Sequence, residues 1–152
     1  MRFTPHWVDP RRVRDGALLV LRVAPTLVRL RIILDHDGFA AAKAYSVSLG
    51  GRSRSSSVSA QTMAVVVHRI AGLAPKRLSC LPRSLTLWAV AKSAGHDVQV
   101  LLGAAPRAAG QQLEAHAWVE LDGVALGERS VGRYVPLRLD DHRLVIATGV
   151  AQ

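Results

Sequence analysis

The order of patterns along this chain predicts an α+β fold. Three observations carry that expectation. Helical periodicity dominates up to residue 94, the only cysteine stands at the head of the last helical segment, and alternating apolar residues flank an Asp122-Gly123 pair after it. Helices followed by antiparallel strands place a cysteine-bearing helix on a sheet, behind a set of N-terminal helices.

The first helical stretch begins at Asp9-Pro10, a cap followed by a first-turn proline. Val13, Ala17, Leu18 and Leu21 then recur at helical steps, and Pro25 is expected to end or kink that helix. A second helical run covers residues 26–34, Asp35-His-Asp-Gly38 reads as a turn, and residues 39–45 read as a short helix. The segment SVSLGGRSRSSSVSA, residues 46–60, is rich in Ser, Gly and Arg without periodicity and reads as a mobile loop. Residues 62–71 read as a helix closed by Gly72, and residues 75–78 as a loop. Residues 79–94 form the next helix, with Ser79 as N-cap, Pro82 in the first turn and Gly95 past the end. Residues 97–102 alternate as a strand, and residues 103–112 read as a loop. Residues 113–121 and 124–128 are strands around Asp122-Gly123, a strong hairpin signal. The tail, residues 134–148, has the pattern for one or two more strands.

Composition sets the class. A length of 152 residues is that of one domain, expected to span 1–152, with helices and loop over 1–60 and the organised core over 61–152. At 49% hydrophobic the chain is far too apolar to be disordered. One cysteine leaves no internal disulfide, which points to the reducing cytoplasm. The start, MRFTPHWVDPRR, is polar and shows no secretory signal. The apolar run of residues 17–34 is interrupted by Arg22, Pro25, Arg29 and Arg31. Each charge at a bilayer centre costs roughly 2.5–3.5 kcal/mol, so no stable membrane insertion is expected. The net charge of +9 fits either plain solubility or an acidic partner. Nucleic-acid binding would rest on charge alone, with 5% aromatic residues and no recognition motif, so no nucleic acid is expected.

Cys80 carries the chemistry. A lone cysteine is ordinarily a packed core residue. Here it falls in the first turn of a helix, where unpaired N–H groups and the helix dipole favour a thiolate, with Lys76 and Arg77 nearby. Of six histidines, His6, His36, His68, His96 and His142 lie in turns, ends or a helix and read as surface or satisfied groups. His116 sits on a strand in EAHAWVELDG, where an imidazole is held rigidly enough to act as a base. A third group should orient it. Asp122 lies at the hairpin tip, roughly 20 Å along the strand. Glu128 comes opposite His116 if the turn is the three-residue loop Leu121-Asp122-Gly123. A two-residue loop would set Arg129 there instead. No second His, Asp or Glu falls at ligand spacing from the cysteine, so no metal and no cofactor are expected.

These residues resemble a known family. SCLPRSLTLWAVAKSAG, the strand DVQVLLGA and EAHAWVELDGVALGE are similar to the transglutaminase-like leader peptidases of lasso-peptide biosynthesis. The motif positions map onto Cys80, Leu81, Ser84 and Leu85, then Gly103, then residues 115–123. The resemblance implies a transglutaminase/papain-like core and a thiol protease with a Cys-His-acid triad, here Cys80, His116 and Glu128, where the family usually has aspartate. It also implies removal of a leader peptide from a ribosomally made precursor, alongside a lasso cyclase. The length leaves no room for an additional leader-binding domain, so the split form is implied, with a separate leader-binding protein as partner. Three rivals stand beside this reading: acyl transfer to an amine by the same triad, a non-catalytic peptide-binding module with Cys80 merely packed, and a small basic nucleic-acid binder.

Overall fold

The computed structural model describes residues 10–52, 56–74, 78–106, 113–140 and 143–146, with side chains described over 14–137 of these. Four helices precede a five-stranded sheet: α1 (Pro10–His36), α2 (Gly38–Gly50), α3 (Ala60–Gly72), α4 (Cys80–Ser93), β1 (Val98–Ala105), β2 (Glu114–Leu121), β3 (Val124–Ala125), β4 (Val135–Asp140) and β5 (Arg143–Ile146). A short 3-10 turn, Val131–Arg133, leads into β4. The strand order is β3-β2-β1-β4-β5, antiparallel throughout. This is the α+β architecture that the sequence predicts.

Helix α1 runs unbroken through Pro25, where the sequence predicts an end or kink. A proline there forfeits the bond to the Leu21 carbonyl. Leu19, Val23, Leu27 and Leu30 form a buried stripe at steps of four and three, and that burial holds the helix together across the proline. The Thr26 hydroxyl donates to the Arg22 carbonyl at 2.7 Å. Helix α2 extends to Gly50, five residues into the segment expected to be a loop. Ser46 is buried there and donates to the Ala42 carbonyl at 2.9 Å, so its hydroxyl is satisfied within the helix. The end of the same segment is also fixed: Ser57 bonds Asp15, Ser59 caps α3 by accepting from the Thr62 N–H, and the Val58 carbonyl meets His96. Residues 53–55, within that expected loop, lie outside the described residues, as do 75–77 and 107–112 of the other two.

The sheet has two apolar faces. Val98, Val100, Val119 and Leu121 join one cluster with Leu19, Val23 and Leu27 of α1, Met63, Ala64 and Val67 of α3, and Leu87, Val90 and Ala91 of α4. Trp118, Leu101, Ala105 and Tyr134 form a second cluster on the opposite face. Strand β1 continues through Gly103, which the sequence reads as the start of a loop. A Cβ at Gly103 would lie 2.7 Å from the Trp118 ring and 2.8 Å from the Tyr134 Cβ. The missing side chain makes room for the indole, which is why a glycine interrupts this strand pattern.

The β2–β3 hairpin departs most from expectation. Leu121 pairs with Val124, and Glu120 with Ala125. The loop is therefore Asp122-Gly123 alone, two residues and not three. Both have positive φ, 51° and 77°, the signature of a type I′ turn whose twist matches the strands. The pairing ends early. The Leu126 N–H donates to the Val119 carbonyl at 2.8 Å, and then Gly127 takes φ 72° and turns the chain off the ladder.

Candidate active site

Cys80 is the first residue of α4 and is partly buried, with Ser79 as N-cap in extended conformation. One helical turn on, the buried Ser84 hydroxyl donates to the Ala117 carbonyl at 2.8 Å. In an uninterrupted two-residue hairpin that carbonyl would take the next ladder bond, from residue 128. Because the chain leaves the ladder at Gly127, the edge of β2 accepts the helix instead. The bond fixes the first turns of α4 against the strand residue next to His116.

His116 lies on β2 opposite Gly103. Its ring stacks on Tyr134 at 4.9 Å between centroids and on Trp118 at 6.1 Å. The indole N–H donates to Glu120, and the Tyr134 hydroxyl donates to Glu114 while accepting from Arg133. Both aromatic neighbours are thus anchored by their polar tips, which fixes the imidazole plane.

The acidic side of His116 is built by the irregular end of the hairpin. His116 Nε2 is 3.3 Å from Glu128 Oε2. A two-residue loop continued as a ladder would place Arg129 opposite His116 and turn Glu128 away. Gly127 prevents that outcome, because its left-handed conformation re-aims the next residue. The expected loop length is therefore corrected, whereas the His116–Glu128 contact arises by a different route. Asp122 is exposed at the turn, with no part in this cluster.

Sequence reasoning passed over His68. Its Nε2 is 3.9 Å from Glu128 Oε1, the oxygen not used by His116. A Cβ on Gly127 would lie 3.1 Å from the His68 ring and 3.3 Å from Ala64. Burial, then the Arg83 guanidinium and the neighbouring His116, hold the His68 imidazole below its ordinary value of 6.5, against an upward pull from Glu128. Helix phase is the signal that could have found it: His68 follows Val67 and stands four residues after Ala64, at the margin of the buried face of α3. Among the described residues, no group of three or more His, Cys, Asp or Glu side chains is placed to hold a metal ion. Among them too, no helix is long and apolar enough to cross a membrane.

The model of the transglutaminase-like superfamily matches residues 23–139, and the chain belongs to that superfamily. The superfamily includes cysteine peptidases. Neither a curated protein nor a solved structure matches the chain significantly.

Proposed function

We propose that the protein is a cysteine peptidase that removes the leader segment from a ribosomally synthesised lasso-peptide precursor. The observation that carries the peptidase reading is the His116–Glu128 contact on the strand to which the Cys80 helix is bonded through Ser84. The leader-peptidase reading adds the Cys-Leu-x-x-Ser-Leu helix and the Ala-His-Ala-Trp-Val-Glu hairpin, whose motif positions Ser84, Gly103 and Trp118 each have a packing role. The partners are the precursor, a separate leader-binding protein and a lasso cyclase, in the cytoplasm.

In this mechanism Glu128 accepts from Nε2–H of His116, which leaves Nδ1 to take the thiol proton of Cys80. The thiolate attacks the carbonyl carbon at the leader–core junction, and N–H groups at the start of α4 stabilise the oxyanion. The C–N bond breaks as His116 returns its proton to the leaving amine, giving a thioester. Water, deprotonated by His116, attacks the thioester. The carboxylic acid departs and the thiol is restored.

The test is incubation of precursor and leader-binding protein with the wild-type chain and with Cys80→Ala, followed by mass spectrometry. Wild type should yield a shortened core peptide, and Cys80→Ala should be slower by at least about 10³-fold. Equal cleavage by both would remove Cys80 from the mechanism. A mass gain from an added amine would reassign the reaction to acyl transfer.

A further inference from the structure

We propose that His68 is a positioning residue that holds the Glu128 carboxylate from its second oxygen, so that protonation of His68 weakens the support Glu128 gives to His116. The inference rests on the peptidase reading and extends it to a residue outside the proposed triad.

The geometry is that of one carboxylate between two imidazoles. Oε2 of Glu128 faces His116 at 3.3 Å and Oε1 faces His68 at 3.9 Å. The second distance is longer than a hydrogen bond and within ion-pair reach. All three side chains are largely shielded from solvent, which strengthens their mutual influence. Gly127 lies against the His68 ring, where a Cβ would sit 3.1 Å from the imidazole and push it by a few tenths of an ångström. The ring thus packs on the very bend that aims Glu128 at His116. His68 therefore touches the device that builds the site twice, at the glycine and at the carboxylate.

The charges around His68 set the direction of the effect. Arg83 faces it from α4, Glu128 from the segment after β3, and His116 from β2, while Arg69 is its exposed neighbour on α3. Helix α1 packs on α3 through the apolar cluster. The Arg83 Nε is buried without a hydrogen-bond partner among the described residues. Burial first, and this cation second, disfavour the charged form of the His68 ring. Its proton affinity lies below the ordinary 6.5, so it charges only as the solution becomes acidic. The new cation then competes with His116 for the same carboxylate. Hydrolysis should fall on the acidic side partly through His68, and a side chain unable to take the proton should escape that part of the loss.

Two measurements test this on the full chain. The first is the NMR titration of the His68 ring in the Cys80→Ala background, which needs no substrate. Adding Glu128→Gln should lower the proton affinity of His68, because the carboxylate pulls it upward. An unmoved His68 titration overturns the proposal. The second is the pH profile of leader cleavage. His68→Gln keeps a polar N–H group on the Oε1 side that takes no proton, and should keep most of the neutral-pH kcat, with its acidic limb displaced to lower pH. His68→Ala should lose about tenfold in kcat with KM little changed, as expected of a displaced supporting group. Superimposable acidic limbs for wild type and His68→Gln, or equal kcat for Ala and Gln variants that melt alike, overturn it. If wild type cleaves no precursor, the leader-peptidase reading fails, and the titration alone decides the His68–Glu128 coupling.

Discussion

Two glycines of the β2–β3 hairpin stand four residues apart with nearly equal φ, Gly123 at 77° and Gly127 at 72°, and they do opposite things. Gly123 closes the ladder at the tip, in open space with nothing within 4 Å of where a Cβ would be. Gly127 ends the ladder at the open end, packed beneath His68. The first serves the strand pairing. The second frees the Ala117 carbonyl for Ser84 and aims Glu128 at His116. The same backbone state is thus a local turn rule in one place and the origin of the candidate site in the other.

The comparison can be broken most severely at Gly127. Gly127→Ala combines left-handed strain of about 1–2 kcal/mol with a crowded contact to His68, and a total loss of about 2 kcal/mol in denaturant unfolding is expected. Leader cleavage should fall as far as in Glu128→Ala, since the acid loses its aim. Ser84→Ala comes next. It leaves the buried Ala117 carbonyl without its donor, at about 1.5 kcal/mol, and loosens the start of α4 against β2. Cleavage should drop while the affinity for precursor is retained, read as a kcat effect in a KM-against-kcat split. Gly123→Ala should have the smallest effect. It carries a similar backbone strain without the contact, about 1 kcal/mol, and kcat should stay within twofold of wild type. If Gly123→Ala and Gly127→Ala lower kcat equally, the contrast between the two ends of the hairpin is wrong.

Much of the architecture could be read from the chain because local signals agreed with tertiary ones. Ser79 marks a true helix start, Asp122-Gly123 marks a true turn, and the alternation of Val98 and Val100 marks a true strand. Readings failed where packing overrode composition. Pro25 does not stop α1 because Leu19, Val23, Leu27 and Leu30 are buried on one face of it. The Ser-rich end of α2 is helical because Ser46 satisfies its own hydroxyl. Gly103 stays in β1 because the Trp118 ring needs the space.

The sequence by itself determined the order of elements, the helix that presents Cys80, the strand that carries His116 and the exclusion of Asp122 from their neighbourhood. These depend on capping, periodicity and rise per residue, which act over a few positions. Only the tertiary structure decided how Glu128 reaches His116 and that His68 stands behind it. Both depend on one residue, Gly127, whose conformation is permitted by its lack of a side chain and selected by the helix packed above it. Glycine widens the choice of backbone state without making it, so the choice falls to contacts between α3 and the hairpin, some sixty residues apart in the chain.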